Sequence, residues 1–531
     1  MCDSYEARES PGPGRQAMLS RLTEERVSSG VAPAAVLAAA TATGIVSGAA
    51  GDSGDGAPPD LTTVFRIASC TKSFTAARTL QLRDAGSLNL DQPITELLPV
   101  APHFMLPSAH SAIPTARMLL TMSAGLPTDD AWADRLEAMA PEAFDAMLAH
   151  GVRFVREPGT GYEYANLGWA ILGRALEHID GRCLQEQIET ELLDPLGLGG
   201  VRFSAPAGRR IATGFANRAH GWEAQPITLP GSFSAIGGLF ASCSDLLRWS
   251  QWLAAAFEGA STGAGDANTS GAEDQILSAA SRREMQQLHR LAPGTAEPGT
   301  ERGYGYGLVI EHSRAFGHVV AHSGGYPGFS AHMVWSTEHP LAVCGFANAG
   351  YSGVHTIVRE AFASLMRDES GDAAAGVEGG DGVGGAGAGS VGAAQQAWPE
   401  TRAAAAQLIE LVNAVSAGRG ELKGSGVSAS YEAAWQHVDE ALFDTCVFLD
   451  LPRNERADQL LDLIERVGGP LSHGNLTFPT PASAAWTITG ARGSFEAKIH
   501  LTAIEPPLVQ RFDLGETKSH PATSAEPRSP R

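Results

Sequence analysis

The sequence predicts an α+β fold that is divided between two domains. Strand-like apolar runs at 34–41 and 45–50 are followed by helix-like amphipathic segments, and further strand-like runs come much later. Residues 371–397 are almost entirely Gly and Ala with a few acids, a composition that cannot bury enough apolar surface to offset its ordering entropy. At 531 residues the chain is also too long for one ordinary core. We therefore expect a large mixed domain, a linker and a smaller domain.

The Gly- and Ala-rich segment sets the predicted boundaries. We expect a main domain over 15–367, a linker over 368–397 and an accessory α+β domain over 398–514. The polar segment 515–531 predicts a disordered tail. A second segment rich in small residues, 259–274, predicts a surface loop within the main domain.

Hydrophobic periodicity predicts the elements of the main domain. The helix around residue 70 is expected to end at Gly86, because glycine suits the left-handed position after a helix. The successive runs HVVAHSGG, FSAHMVW and LAVCGFAN predict strands near the end of this domain. Helices are predicted at 15–29, 69–85, 165–179 and 244–257.

The accessory domain carries structural signals only. Helices are predicted at 399–416 and 457–467, followed by a hairpin in AWTITG-AR-GSFEAKIHLTA. We interpret the apolar stripe of the first helix as core, and its members are Leu408, Leu411, Val412 and Val415. No residue after the linker indicates chemistry, so the role of this domain is left open.

Composition excludes several classes of protein. Hydrophobic residues make up 43% and charged residues 18% of the chain, and no apolar run approaches the roughly 20 residues of a membrane span. A net charge of −21, without a basic stripe, argues against nucleic-acid and membrane binding. The first thirty residues contain no secretion-signal pattern, which predicts a cytoplasmic protein.

The six cysteines predict thiols rather than disulfides. They lie far apart in the chain and include no CxxC pair, which argues against a disulfide framework and against a zinc ribbon. Cys70 stands beside a candidate nucleophile, and we interpret it as a small buried apolar residue. We also interpret His103, His110, Glu311 and His312 as surface or packing groups, because they lack metal-ligand spacing. No metal and no cofactor is expected.

One lysine stands out. The chain has four lysines, and Lys72 is the one that precedes the linker, where all other fixed cationic side chains are arginine. Arginine cannot lose its proton in a protein but a buried lysine can, so Lys72 is a candidate proton acceptor. Ser69 lies three residues earlier, and side chains at that spacing share one face of a helix. A serine hydroxyl becomes a nucleophile when such a base takes its proton.

A Ser-x-x-Lys pattern alone is short and permissive. In the alternative interpretation, Ser69 caps the N-terminus of a helix and Lys72 is a solvated residue of its first turn. Two further motifs favour the catalytic interpretation. Tyr164-Ala165-Asn166 is the one Tyr-x-Asn sequence in the chain, and His322-Ser323-Gly324 follows it.

The region TTVFRIASCTKSFTAARTLQLRDAGSLNLDQPITELLP resembles the Ser-x-x-Lys region of the class C β-lactamase-like family, which includes D-alanyl carboxypeptidases, D-aminopeptidases and esterases. The stretches around Tyr164 and His322 resemble its second and third motifs, and together the similar stretches cover about 350 residues. The resemblance implies a β-lactamase/transpeptidase-like fold, with an antiparallel sheet flanked by helices and a helical subdomain. No G-x-S-x-G is present, which argues against an α/β-hydrolase.

The resemblance also implies roles for three catalytic residues. Ser69 would attack the substrate carbonyl, and Lys72 and Tyr164 would relay its proton and later activate water. This assignment predicts chemistry through an acyl-enzyme.

Supporting roles are implied for four more residues. Asn166 would bind the substrate amide or orient the lysine, and His322 would line the opposite strand. Gly324 and Gly325 would follow on that strand, with the backbone N–H of Gly325 and that of Ser69 forming the oxyanion hole.

The predicted function is hydrolysis of a small ester, amide or short peptide, as by an esterase, amidase or D-aminopeptidase. The alternative within enzymes is a β-lactamase or a D-alanyl-D-alanine carboxypeptidase. It is less favoured because His322 stands where β-lactamases have a lysine that attracts a carboxylate. An alternative of another class is a non-catalytic protein that is acylated without turnover. The oligomeric state is left open.

Overall fold

The computed structural model describes residues 13–258, 273–292, 299–370, 396–417, 438 and 440–516. The chain separates into two compact units, Met1–Gly389 and Ser390–Arg531. We call them unit 1 and unit 2 and describe each by itself.

Unit 1 is built on one antiparallel sheet of eight strands in the order β2-β1-β14-β13-β12-β11-β10-β9. Unit 2 contains a second antiparallel sheet in the order β15-β16-β17-β18. The described strands are β1 (Ala34–Thr41), β2 (Gly44–Gly51), β3 (Phe65–Arg66), β4 (Phe104–Met105), β5 (Val152–Arg153), β6 (Phe215–Arg218), β7 (Gly221–Ala224), β8 (Phe240–Ala241), β9 (Arg290–Leu291), β10 (Thr300–Tyr304), β11 (Val309–Ser313), β12 (Gly317–Tyr326), β13 (Phe329–Ser336), β14 (Ala342–Ala347), β15 (Ser472–His473), β16 (Ser483–Thr489), β17 (Ser494–Leu501) and β18 (Val509–Glu516).

Helices surround both sheets. The described α-helices are α1 (Pro13–Ser28), α2 (Lys72–Asp84), α3 (Ala116–Leu120), α4 (Asp130–Ala133), α5 (Pro141–His150), α6 (Asn166–Asp180), α7 (Leu184–Ile188), α8 (Ser234–Gly237), α9 (Cys243–Ala254), α10 (Glu273–Ile276), α11 (Ala279–Met285), α12 (Val354–Ser370), α13 (Pro399–Ala417), α14 (Cys446–Asp450) and α15 (Arg453–Val467). Among the described helices, none has both the length and the apolar surface that crossing a bilayer requires.

The central strands of unit 1 are covered on both faces. Every residue of β1, β13 and β14 is buried, although antiparallel sheets often leave one face to solvent. Helices α1 and α12 pack on one face, where Leu22 and Phe362 join a core that includes Val334 of the sheet. Helix α9 packs against the same three strands, and Phe74 of α2 stacks on its Trp249 at 3.9 Å. The predicted antiparallel sheet flanked by helices is confirmed.

Most predicted elements of unit 1 are present within a few residues of their expected bounds, and one differs near the candidate nucleophile. Helix α2 begins at Lys72, whereas Ser69 lies in a separate 3₁₀ turn, Ala68–Thr71. In this turn the Cys70 N–H donates to Ile67 O, three residues back, at 3.2 Å, which is the hydrogen-bond pattern of a 3₁₀ turn. The left-handed conformation expected at Gly86 is present, with φ 76°.

Two predicted segments lie largely outside the described residues. Of the predicted loop 259–274, residues 259–272 are not described, and the last two begin helix α10. Of the predicted linker 368–397, residues 371–395 are not described, and the first three extend helix α12 to Ser370.

Unit 2 contains the predicted hairpin as β16 and β17, joined from Ser483↔His500 to Thr489↔Ser494. Helix α13 packs on both strands, and the predicted stripe of Leu408, Leu411, Val412 and Val415 is buried. Strand β18 continues to Glu516, so the first two residues of the predicted tail belong to the sheet. Residues 517–531 lie outside the described part of the chain.

Candidate active site

The candidate nucleophile lies in a strained turn. Ser69 is partly exposed, and the residue before it, Ala68, has φ 48°. Residues other than glycine rarely adopt this left-handed conformation, and where it occurs the surrounding structure enforces it. A Cβ atom on Gly237 would lie 3.4 Å from the carbonyl carbon of Ala68, and one on Gly324 would lie 2.3 Å from Ile67 O. The turn is therefore held between two close backbone segments.

Lys72 contacts the nucleophile directly. Its Nζ lies 2.9 Å from Ser69 Oγ and donates to the Ile236 carbonyl oxygen at 2.9 Å. The lysine side chain is 0% exposed, so the alternative interpretation as a solvated residue is wrong. Ile236 belongs to α8, which packs against the turn and fixes the position of the amine.

Burial changes the acidity of Lys72. Removal from water disfavours the ammonium form and lowers the pKa of Lys72 to about 8. The carboxylates of Asp130, Asp134 and Asp129 oppose this shift, because negative charge nearby favours the protonated amine. A substantial fraction of Lys72 is therefore neutral near pH 8 and can accept a proton.

Tyr164 lies across the site from the lysine. Lys72 Nζ is 5.2 Å from the centre of the Tyr164 ring, and the tyrosine hydroxyl interacts with the Ser69 side chain. Burial is the main cause that holds the pKa of Tyr164 well above its usual value, and the electrostatic influence of Tyr304 and of Asp130 adds to it. The tyrosine is therefore a phenol, a proton donor, at neutral pH.

His322 is neutral and fixed in one tautomer. It is 3% exposed, and burial together with Lys72 lowers its pKa to about 3. Its Nδ1 lies 2.6 Å from Ser323 O, which can only accept, so Nδ1 carries the proton. Its Nε2 therefore accepts from the Tyr304 hydroxyl at 2.9 Å. The third motif presents a polar but uncharged ring.

Asn166 begins helix α6, and two aspartates hold it. Asp129 accepts from the backbone N–H groups of Asn166 at 2.6 Å and Leu167 at 2.8 Å, which satisfies donors left free at a helix start. The Asn166 amide nitrogen donates to Asp130 Oδ1 at 2.7 Å. Asp129 is buried, which raises its pKa to about 7. These contacts place α6, and with it Tyr164, relative to α4.

Gly324 and Gly325 lie on an edge that passes the nucleophile. Strand β11 pairs with β12 only as far as Val309↔Ala321, whereas β13 pairs with β12 through Tyr326↔Phe329. The backbone of β12 beyond Ala321 is therefore left to approach the turn of Ser69. A Cβ on Gly325 would lie 2.8 Å from the Tyr351 ring, which covers this part of the strand.

The structure thus brings the side chains of Ser69, Lys72, Tyr164 and His322 into one cluster, with Asn166 held beside it. Sequence reasoning missed Tyr304, the Asp129-Asp130 pair and the Ile236 carbonyl. The available signals were the adjacent acids in GLPTDDAW and the paired tyrosines in GYGYG. Neither has a periodic pattern that would indicate a site.

Other sequence interpretations concern side chains around the cluster. Cys70 is buried, its Sγ donates to His322 O at 3.4 Å, and burial raises its pKa, as expected for a packed thiol. Glu311 pairs with Arg359 at 2.8 Å. Within the described residues, no group of three or more His, Cys, Asp or Glu side chains could hold a metal ion.

Comparison with known proteins shows which family this chain resembles. The family model described as Beta-lactamase matches residues 19–367. Penicillin-binding protein 4* of Bacillus subtilis is 24% identical over 310 residues, which are 55% of this chain and 62% of that relative. The match thus spans less than two thirds of that protein.

Solved structures show the same fold at low identity. The octameric penicillin-binding protein homologue from Pyrococcus abyssi covers 93% of this chain and 97% of its own, with TM-score 0.56 and 18% identity. The D-amino acid amidase from Ochrobactrum anthropi covers 66% of this chain and 99% of its own, with TM-score 0.52 and 22% identity. The chain therefore belongs to the beta-lactamase family of serine hydrolases and has the β-lactamase/transpeptidase fold.

Proposed function

We propose that this protein is a serine hydrolase that cleaves a small ester or amide through an acyl-enzyme on Ser69. The observation that carries the proposal is the buried amine of Lys72, which lies 2.9 Å from Ser69 Oγ. Its pKa of about 8 makes it a base near neutral pH, whereas an exposed lysine would stay protonated.

The first half-reaction follows from these contacts. Neutral Lys72 takes the proton of Ser69 as Oγ attacks the substrate carbonyl, and the Ile236 carbonyl then accepts from the resulting ammonium. The oxygen that gains negative charge lies between the turn and β12, where the N–H groups of Ser69 and Gly325 would donate to it.

Tyr164 would complete the proton path. Because its pKa is well above the usual value, it serves as a donor at neutral pH. We propose that it passes a proton to the leaving alcohol or amine and is reprotonated from Lys72. In the second half-reaction the same pair would take a proton from water as the water attacks the acyl-enzyme, and would return it to Ser69 Oγ as the acyl group leaves as the acid.

The charge of the site favours substrates without a carboxylate. His322 is neutral at any pH well above 3, so the third motif lacks the cation that would attract a substrate carboxylate. The negative charge of Asp130 and Asp134 acts on Lys72, as does that of Asp129 above its pKa of about 7, and this charge would repel a further anion. These features support an esterase, amidase or D-aminopeptidase over a β-lactamase or D-alanyl-D-alanine carboxypeptidase. A cytoplasmic location stays a prediction from the sequence.

Labelling and turnover test this proposal together. The wild-type protein would be treated with a fluorophosphonate and its mass measured intact, and p-nitrophenyl acetate and nitrocefin turnover would be compared. We expect one label, lost in Ser69→Ala, slow labelling in Lys72→Ala, and faster turnover of the ester. Ser73→Ala is the matched control, because the Ser73 hydroxyl is committed to Cys70 O and Trp249.

The other functions give different results. Faster nitrocefin turnover would favour a β-lactamase. A single burst of p-nitrophenol without further turnover would favour an acylated sensor. No label on Ser69 would contradict the proposed chemistry altogether.

A further inference from the structure

A buried ion pair lies next to the site. Arg66 and Glu137 are each 1% exposed, and their side chains meet through Nη1–Oε2 at 2.5 Å and Nη2–Oε1 at 3.0 Å. The pair joins residues 71 positions apart in the sequence. The two-point geometry fixes both the distance and the relative orientation of the planar groups.

Aromatic rings and hydroxyls enclose this pair. The guanidinium carbon of Arg66 lies 4.7 Å from the centre of the Phe240 ring and 4.4 Å from that of Tyr326. The Tyr326 hydroxyl donates to Glu137 Oε2 at 2.8 Å, and the Ser234 hydroxyl donates to Oε1 at 3.2 Å. We call Arg66, Glu137, Tyr326 and Ser234 the Arg66 cluster.

Three members of the Arg66 cluster are close in sequence to groups of the proposed site, and the fourth, Glu137, is the carboxylate that they share. Arg66 precedes Ser69 by three residues, and Tyr326 directly follows Gly325. Ser234 precedes Ile236, whose carbonyl holds Lys72, by two residues. The cluster therefore ties the nucleophile turn, the β12 edge and α8 to one carboxylate.

Close packing makes these ties rigid. Arg66 Nη2 also approaches the Thr228 and Gly238 carbonyls at 3.3 and 3.4 Å. A Cβ on Gly238 would lie 2.6 Å from Glu137 Oε1, so a glycine leaves the room that the carboxylate occupies. A shift of the carboxylate would be transmitted to every segment that it joins.

Stability alone does not account for such a pair. Moving two charges out of water carries a large desolvation penalty, and apolar residues of similar volume are often at least as stabilising. We propose that the Arg66 cluster is a positioning device that holds the Gly325 N–H at hydrogen-bond distance from the carbonyl oxygen being attacked by Ser69. The inference rests on the proposed acyl-enzyme chemistry. The members act through Ser69 and Gly325 and do not touch the substrate.

The test compares substrates that differ in the atom the oxyanion hole binds. A p-nitrophenyl ester and its thiono analogue, in which sulfur replaces the carbonyl oxygen, would be assayed with wild type, Glu137→Gln and Tyr326→Phe. Sulfur is a poorer hydrogen-bond acceptor, so a well-aligned donor favours the oxygen ester. Removing one such donor costs about 10²–10³ in rate, so we expect its displacement to lower the oxygen-to-sulfur ratio of kcat/KM by roughly tenfold.

Two controls separate positioning from general destabilisation. Asp145→Asn breaks a comparable two-point pair with Arg174, at 2.9 and 2.7 Å, and is expected to lower Tm without changing the ratio. Tyr326→Phe keeps the ring against Arg66 and removes one hydroxyl. It therefore tests the positioning role even if Glu137→Gln does not fold. The pH at half-maximal rate should stay near that of wild type in both test variants, because Lys72 is unchanged.

The results distinguish the two proposals. A wild-type ratio in Glu137→Gln and Tyr326→Phe, whatever their Tm, would overturn the positioning role and leave the proposed function standing. The same outcome follows if Asp145→Asn lowers the ratio as much as they do. A wild-type protein that is not acylated on Ser69 would overturn the proposed function and this inference with it.

Discussion

At the scale of single residues, the acidity of Lys72 sets the expected pH dependence. Its pKa is lowered to about 8, and the neutral amine is the form that accepts a proton. We predict that kcat/KM for p-nitrophenyl acetate rises with pH and reaches half its plateau near pH 8. His322, with a pKa lowered to about 3, should add no step above pH 5.

The lowered pKa of Lys72 also makes the free energy of unfolding depend on pH. Between pH 8 and the ordinary lysine pKa of 10.5, the unfolded chain binds a proton that the folded chain lacks. The contribution of Lys72 to the free energy of unfolding therefore rises with pH in this range.

A rate that stays flat through pH 8 would contradict the assignment of Lys72 as base. Lys72→Arg supplies the comparison, because arginine keeps its proton and should abolish the rise.

Gly324 allows a prediction about the close approach of β12 to the turn that carries Ser69. A Cβ there would lie 2.3 Å from Ile67 O, so Gly324→Ala must push β12 away from the nucleophile turn. We expect a loss of about 1–3 kcal/mol in unfolding free energy, from urea titration, and slower fluorophosphonate labelling. Gly14→Ala is the control, because a Cβ there meets nothing within 4 Å. It should leave the labelling rate near wild type and should not lower the unfolding free energy, since alanine is favoured over glycine in a helix such as α1. Equal effects in the two variants would rule out this steric explanation.

At this scale the sequence predicted contacts between residues that are close to one another in the chain. The neighbourhood of Ser69 and Lys72 follows from a spacing of three residues on a helical turn. Ile236, whose carbonyl accepts from Lys72, follows it in the sequence by 164 positions, and Asp130 follows it by 58. No pattern of neighbouring residues predicts that either lies near Lys72. The strain at Ala68 is likewise a consequence of tertiary packing around Gly237 and Gly324.

At the scale of elements, the start of α6 depends on one carboxylate. Asp129 accepts from the N–H groups of Asn166 and Leu167, and both would lose their partner in Asp129→Ala. We expect a loss of about 1–3 kcal/mol per unsatisfied buried donor, together with slower labelling of Ser69, because Tyr164 lies just before the helix. Urea unfolding and timed labelling measure the two effects.

Helix α9 supplies the matched comparison for this prediction. Its first turn is capped by Ser242, whose hydroxyl accepts from the Asp245 N–H and donates to the Asp245 side chain, and neither residue belongs to the proposed site. Ser242→Ala should cost about 1 kcal/mol and leave the labelling rate near wild type. If both variants slow labelling equally, α6 has no special link to the site.

Element positions were predictable where periodicity is strong. Strands β1 and β2 and helices α6 and α9 lie within a few residues of their predicted bounds, because each has a continuous apolar pattern. The start of α2 was predicted three residues early, because the 3₁₀ turn is imposed by its neighbours and leaves no periodic signal. The order of the strands in the sheet could be predicted only from the family resemblance, because strands that pair are often far apart in the sequence.

At the scale of the molecule, unit 1 contains every group of the proposed site. Its sheet is covered on both faces by its own helices, and the family model ends at residue 367. We predict that a chain ending at residue 389 folds cooperatively and is labelled by a fluorophosphonate at a rate within about threefold of the full chain. Thermal unfolding and timed intact-mass spectra would measure this. A soluble, folded fragment that no longer reacts would show that unit 2 contributes to the chemistry.

The position of Lys72 as the one lysine before the linker allows its ionisation to be observed by itself. A chain ending at residue 389 contains one lysine, because the other three follow at positions 423, 498 and 518. Grown with lysine labelled with ¹⁵N at the side-chain nitrogen, this shortened protein would carry a single labelled amine, the one beside Ser69. Its magnetic resonance signal, followed against pH, would report the proton on that nitrogen without overlap from any other lysine.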